Sequence, residues 1–119
     1  MTLDELRELC LSLPGTHEKE TWGDAEHAGD ITFRVRDKIY LITGQSGEGA
    51  TIRTSTEQQA DLISAFPEAF SMAPYVGRFG WVSVRFNAVE PELLREVIVS
   101  AWRRTAPKAV VRAFNEAAG

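Results

Sequence analysis

The chain has 119 residues, of which 44% are hydrophobic, and it carries a formal net charge of −4. This length fits one domain over residues 1–119 with its own hydrophobic core, and the net acidity argues against a generic nucleic-acid binder. The single cysteine, Cys10, excludes an intramolecular disulfide, and no run approaches the roughly 18 apolar residues of a membrane span. Acids near the start are not typical of a signal peptide, so the sequence predicts a cytoplasmic protein with no membrane partner.

The charge is unevenly distributed along the chain. Residues 1–30 hold 8 acids and 2 bases, whereas residues 31–119 hold 9 acids and 11 bases. Local potential, rather than net charge, decides what a surface attracts. A basic binding surface therefore remains compatible with this composition.

The first 30 residues predict one helix and one long acidic connection. Leucines at positions 3, 6, 9 and 13 recur at helical spacing, Thr2 and Glu5 form a capping pair, and Pro14-Gly15 ends the helix. Cys10 lies on the apolar side, which is typical of a buried packing thiol. Residues 16–30 predict a solvated loop. The two histidines of this loop lack the spacing of a metal site, so no metal and no cofactor are expected.

The middle of the chain predicts a sheet interrupted by one helix. "ITFRVRDKIYLIT", residues 31–43, predicts a hairpin with a two-residue turn at Asp37-Lys38. "ATIRT" predicts a third strand, and "STEQQADLISAFP" a helix capped by Ser55 or Thr56. "FSMAPYV" predicts a fourth strand, which Pro74 either confines to an edge, because it cannot donate to a ladder, or bends, and "GWVSVRF" predicts a fifth.

Two helices complete the chain. "EPELLREVIVSAWRRTAP" has Pro91 in its first turn, Trp102 on its apolar stripe and Arg103-Arg104 at its C-terminal end, and Pro107 opens a last short helix. Short polar links favour antiparallel strand pairing. The sequence therefore predicts an α+β fold in which a five-stranded antiparallel sheet carries its helices on one face.

Four segments carry a resemblance to a known family: "LRELCLSLPGTHE", "FRVRDKIYLI", "YVGRFGWVSVRF" and "AWRRTAPK". Together they resemble the MmcQ/YjbR family of small bacterial proteins over nearly the whole chain. The resemblance implies a CyaY-like fold and a "double wing" DNA-binding motif. DNA is then the expected partner, bound weakly and without sequence preference, with Lys38 and Arg78 at two basic hairpin tips that contact the backbone.

Strand alternation predicts a second binding surface. In "WVSVRF" the valines and Phe86 face one side, so Trp81 and Arg85 face the other. The same parity in the other strands gathers six residues on the sheet face away from the helices: Arg34, Arg36, Tyr40, Arg53, Trp81 and Arg85. Unpaired bases stack on aromatic rings while arginines meet phosphates. Alternatively, the arginine stems simply cover the sheet, and the acidic stretch 16–30 neutralises and blocks them.

The sequence predicts a binding domain and not an enzyme. Two histidines and one buried cysteine offer no nucleophile–base pair. The alternative to DNA binding is a small-molecule or protein-interaction module that uses a pocket near Trp22, Tyr75 and Trp81.

Overall fold

The structure, a computed structural model, describes residues 1–26 and 29–118; His27 lies outside them. The strands are β1 (Thr16–Thr21), β2 (Asp30–Val35), β3 (Lys38–Thr43), β4 (Gly49–Ile52), β5 (Phe70–Met72) and β6 (Val82–Arg85). The helices are α1 (Leu3–Ser12), α2 (Thr56–Ala65), α3 (Pro91–Thr105) and α4 (Lys108–Ala118). Two short 3₁₀ helices, Val76–Phe79 and Phe86–Ala88, flank β6.

All neighbouring strands pair antiparallel, in the order β1-β2-β3-β4-β6-β5. The predicted α+β class and antiparallel sheet are confirmed, and β5 is an edge strand as expected. The prediction of five strands is wrong, because residues 16–21 form β1 and not a loop. This strand is polar because it lies at the other edge, where charged side chains face water and hinder pairing with a further strand.

The hairpin between β2 and β3 differs from the prediction in two ways. Its turn is Arg36-Asp37, one residue early, and Lys38 pairs with Val35. The register also shifts between Phe33 and Arg34, which leaves Tyr40 as an extra residue on β3. Such a β-bulge interrupts the alternation of side chains. Tyr40 and its neighbour Leu41 are consequently both fully buried.

The helices begin where the sequence supplies a cap, as predicted. The Thr2 hydroxyl accepts a hydrogen bond from the Glu5 amide, and the Glu5 carboxylate accepts one from the Thr2 amide. The Ser55 hydroxyl accepts from the Gln58 amide at the start of α2. Pro91 opens α3, where its missing N–H leaves no bond unmade. These local contacts explain why the helix positions were readable from sequence.

One hydrophobic core lies between the helices and one face of the sheet. Trp102 of α3 is its largest fully buried side chain, which confirms its predicted place in the core. The Trp102 indole N–H donates to the Pro14 carbonyl at 2.9 Å, and its ring meets Phe114 of α4 edge-on, with centroids 4.8 Å apart. Within residues 1–26 and 29–118, no helix is long and apolar enough to cross a membrane.

Candidate nucleic-acid interface

The sheet face away from the helices does not carry the predicted arginine–aromatic surface. A row across its centre consists of Thr32, Ile42, Thr51 and Ser83, which neighbour one another in register. Arg34 lies on this face, but its guanidinium donates to the hydroxyls of Thr32 and Thr21. Arg85 on β6 is separated from Arg34 on β2 by two strands, which is about 14 Å across the sheet by strand spacing. Its guanidinium donates to the Glu68 carbonyl.

Three of the six residues predicted for this face lie elsewhere. The bulge turns Tyr40 into the core. Arg36 belongs to the hairpin turn, where its φ of 56° places it in the left-handed region. Arg53 directly follows β4, its amide still donates to the Tyr40 carbonyl of β3, and its guanidinium donates to the Thr105 hydroxyl of α3 on the helix side of the sheet. Trp81 is half-buried and immediately precedes β6; its binding role stays a prediction.

The alternative pocket near Trp22, Tyr75 and Trp81 is not formed. Trp22 follows β1 at one edge of the sheet, whereas Tyr75 follows β5 at the opposite edge and at the opposite end of the strands. Even Trp81, beside β6, is four strand positions from β1, which corresponds to about 19 Å. That prediction was therefore wrong, because sequence distance carried no information on strand order.

Two acids of the acidic stretch, Glu18 and Glu20, are bound by groups other than the predicted bases. Glu18 on β1 forms an ion pair with Arg7 of α1 at 3.2 Å, and the Glu20 carboxylate accepts from the Gly29 amide and from Gln45. Glu20 and Asp30 lie at the end of the sheet that also contains the start of β4 and the end of β6. These two acids thus lie at the end of the sheet opposite the β2–β3 turn.

Bases collect at the other end of the sheet. The β2–β3 turn and the junction of α3 with α4 surround a cavity of about 540 Å³. Five bases and one acid, Asp37, line it, and a sixth base, Arg53, reaches it through Thr105. The six residues, named the basic end below, are Arg36, Lys38, Arg53, Arg103, Arg104 and Lys108. They make up almost half of the 13 lysines and arginines in the chain.

Most of the basic end is uncompensated. Arg103 donates to the Asn115 amide oxygen and stands 5.5 Å from the centre of the Phe114 ring. For Arg36, Lys38, Arg104 and Lys108, the part of the chain that the structure describes contains no side-chain hydrogen bond or ion pair; its one ion pair joins Arg7 and Glu18. Five bases beside a single acid create a local positive potential. This end can therefore attract an anion despite the net charge of −4.

The sequence predicts only part of this cluster. Arg36, Lys38 and Arg53 are among the predicted binding residues, whereas Arg103 and Arg104 are explained by the negative C-terminal end of α3 and Lys108 enters only through the family resemblance. The signal was present in "RRTAPK", where three bases bracket the α3–α4 junction. Nothing local indicates that this junction faces the hairpin turn.

Arg78 lies in the first 3₁₀ helix, within the connection between the paired strands β5 and β6, so it is near the tip of that hairpin. This helix immediately precedes β6, whose first residue, Val82, is opposite Ile52 at the end of β4. Arg78 and Lys38 therefore do share one end of the sheet. The Arg78 guanidinium stands 4.7 Å above the centre of the Phe79 ring.

The one cysteine is buried, as predicted. Cys10 is fully buried beside Tyr40, whose hydroxyl hydrogen-bonds that of Thr16 at 2.9 Å. Burial raises the pKa of the Cys10 thiol from 9.0 to about 12, and burial also raises the pKa of Tyr40. A thiol that stays protonated at neutral pH is a poor nucleophile. Cys10 thus packs the core. Among the described residues, no three His, Cys, Asp or Glu side chains gather to hold a metal ion.

This burial predicts an alkaline loss of stability. The unfolded thiol ionises near pH 9.0 and the folded thiol near pH 12, so above pH 9 the unfolded state binds fewer protons and the free energy of unfolding falls as the pH rises. The full effect, on the order of 4 kcal/mol, is reached only near pH 12, and about half of it develops by pH 10.5. Urea unfolding of the parent and of Cys10→Ala between pH 8 and about 10.5 measures that half. As the pH rises, the free energy of unfolding of the parent should fall relative to that of Cys10→Ala. A difference that stays constant with pH would contradict the prediction.

Comparisons with known proteins agree with this architecture. The family model YjbR matches residues 11–104. The crystal structure of the Deinococcus radiodurans protein DR2400, with family-model domain DUF419, superimposes with a TM-score of 0.74 and 24% identity, covering 85% of this chain and 75% of that one. At this identity the likeness concerns the fold alone. A search of curated proteins found no match. Since the family model covers most of the sequence, from within α1 to the end of α3, the chain belongs to the YjbR family.

Proposed function

We propose that this domain binds DNA through its basic end, by contacts to the phosphate backbone. The observation that carries the proposal is the gathering of six bases around one cavity, four of them without a side-chain partner among the described residues. Arginine and lysine are the usual phosphate ligands, and they neutralise backbone charge regardless of sequence. Binding is then weak and sequence-tolerant.

Helix electrostatics account for some of these bases but not for all. Arg103 and Arg104 lie in the last turn of α3, where a cation is favoured by the helix dipole. The dipole of α3 does not explain Arg36 and Lys38, which lie in the hairpin. It does not explain Lys108 either, because Lys108 is in the first turn of α4, where the helix dipole disfavours a cation. Their convergence is better explained by an anionic ligand.

The family resemblance supports the same function. It implies a CyaY-like fold with a double-wing DNA-binding motif, and the two basic tips expected of such a motif, at Lys38 and Arg78, lie at one end of the sheet. In this proposal the domain is a non-catalytic binding module. A DNA-binding role also fits the cytoplasmic location that the sequence predicts.

The salt dependence of binding tests the proposal. Three to five phosphate contacts on a duplex imply a slope of log K against log salt of roughly −3 to −4.5. Lys38→Ala and Arg104→Ala should each weaken binding to all duplex sequences alike and make the slope shallower by about one unit. Fluorescence anisotropy with a labelled duplex measures both quantities.

Arg95→Ala is the matched control. Arg95 is also an exposed arginine of α3, but it lies ten residues before Thr105, about 15 Å along the helix. Its removal should leave affinity and slope unchanged. Absence of binding by the parent to both duplex and single-stranded DNA at about 50 mM salt, where charges are little screened, would exclude the proposal.

A small phosphorylated molecule is the second candidate ligand. The cavity of about 540 Å³ falls within the size range of small-molecule sites. The binding assay, with inorganic pyrophosphate as the probe, distinguishes a small phosphorylated ligand from DNA. Saturable pyrophosphate binding that depends on Arg104, without duplex binding, would favour the small molecule.

A further inference from the structure

The segment between β5 and β6 exposes two aromatic rings. Tyr75 is 94% and Phe79 63% exposed, and the neighbouring Met72 is also largely exposed. Scattered apolar side chains on a surface are ordinary, but a contiguous group indicates a contact site. Four of the six exposed large hydrophobic residues in the described chain fall between positions 66 and 79.

Tyr75 is held in a strained backbone conformation. Its φ of 63° and ψ of −57° form a γ-turn, closed by a 2.7 Å hydrogen bond from the Val76 amide to the Pro74 carbonyl. This kind of γ-turn is rare and unfavourable for a residue with a side chain. Since its ring is almost fully in water, burial does not compensate the strain. Residues kept in such conformations cluster at binding sites.

The fold nevertheless holds this segment firmly. Gln59 of α2 is buried, and its amide donates to the carbonyls of Gly77 and Trp81 at 2.7 and 2.8 Å. The Thr54 hydroxyl donates to the Gly80 carbonyl. A ring presented on a fixed backbone loses less entropy when it binds than a ring on a mobile loop.

Tyr75 and Phe79, named the aromatic surface below, lie at the same end of the sheet as the basic end. Arg53 directly precedes Thr54, which contacts Gly80, and Arg53 is hydrogen-bonded to Thr105, the neighbour of Arg104. Arg78 lies over the Phe79 ring, which adds a base within the aromatic surface itself. A ligand at this end of the sheet has both the two exposed rings and the bases of the basic end available to it.

We infer that Tyr75 and Phe79 stack unpaired bases, so that the preferred ligand is single-stranded nucleic acid whose phosphates lie at the basic end. This inference rests on the proposed function and refines its ligand. In a duplex the base faces are already stacked on each other, and only unpaired bases can lie on an aromatic ring. The positive flank matches a polyanion, which favours this occupant over a second apolar protein surface.

Binding of single strands and duplexes of about 20 nucleotides, longer than one site, tests the inference. Base stacking on a ring is worth about 1–3 kcal/mol, or roughly 5- to 150-fold in Kd. Tyr75→Ala and Phe79→Ala should therefore each weaken single-strand binding at least about fivefold, at the lower end of that range, while duplex binding changes little. Tyr75→Phe, which keeps a ring, should retain the affinity, and Tyr75→Leu should not.

Trp22→Ala provides a closely matched control. Trp22 is also an exposed aromatic residue with positive φ, 65°, but it lies at the opposite edge and end of the sheet. Removing the Trp22 ring should change the affinity for neither single strands nor duplexes. Inorganic polyphosphate, a polyanion without bases, should bind the parent and the Tyr75→Ala variant equally.

Three outcomes would overturn the inference. Single-strand affinity that survives both ring deletions excludes stacking, and if duplex binding still depends on Lys38, the proposed function stands alone. A change in oligomeric state on ring deletion, seen by sedimentation without a change in single-strand affinity, assigns the surface to self-association. Absence of binding to both DNA forms removes this inference and the proposed function together.

Discussion

Replacing Trp102 with alanine is expected to lower the free energy of unfolding by about 3–5 kcal/mol, the usual cost of deleting a large buried aromatic side chain. Trp102 is fully buried, and its loss removes the edge-on contact with Phe114 and the donor to the Pro14 carbonyl. A domain of this size has only about 5–15 kcal/mol of stability. Thermal unfolding should shift down by roughly 10–20 °C.

Two further variants divide this effect into its causes. Trp102→Phe keeps most of the packing but leaves the Pro14 carbonyl without its donor. The lost hydrogen bond should lower the free energy of unfolding by about 1 kcal/mol, in addition to the cost of the smaller ring. Trp22→Ala removes an indole that is 67% exposed and should change stability by no more than about 0.5 kcal/mol. A melting temperature of Trp102→Ala equal to that of the parent would show that α3 is not packed as described.

Replacing Gly80 with alanine is expected to cost about 2–5 kcal/mol. Gly80 has a φ of 101°, which side-chain-bearing residues rarely adopt, and that strain alone costs about 1–2 kcal/mol. In addition, an added Cβ would lie 2.5 Å from the Thr54 carbonyl oxygen and 2.8 Å from the Ser55 carbonyl carbon. Backbone atoms cannot rotate away, so the chain must shift, at about 1–3 kcal/mol more. Denaturant unfolding measures the total.

Gly15→Ala separates the two contributions. Gly15 also has a positive φ, 75°, but an added Cβ there meets only the Val35 side chain, at an ordinary 3.5 Å. It should therefore cost only the conformational part, about 1–2 kcal/mol. Equal costs for the two substitutions would show that the contact between Gly80 and Thr54 is not tight. Because this contact joins the aromatic segment to the basic end, Gly80→Ala should also weaken any binding that uses both.

The proposed interface depends on long-range contacts. Arg53 of the sheet reaches Thr105 at the end of α3, 52 residues later, and Trp102 ties the same helix to Pro14. These contacts bring the α3–α4 junction against the β2–β3 turn. A substitution that loosens α3 should thus reduce binding as well as stability, and binding variants have to be compared at matched melting temperature.

The sequence by itself determined the features that neighbouring residues control. All four helices were predicted close to their observed positions, because caps such as Thr2 and Ser55, prolines such as Pro91 and the spacing of apolar residues act within a few positions. Five of the six strands followed from alternation and turn residues. The family resemblance, carried by segments such as "GWVSVRF", was likewise readable without a structure.

Only the tertiary structure decided which side chains meet. The polar segment 16–21 becomes a strand because β2 offers it an edge to pair with, not because of its own pattern. One bulge moves Tyr40 from the predicted outer face into the core, and the Arg53 side chain reaches Thr105 of α3 instead of the outer face. The basic end combines residues from 36 to 108, and their proximity follows from strand order and helix packing, which local sequence does not encode.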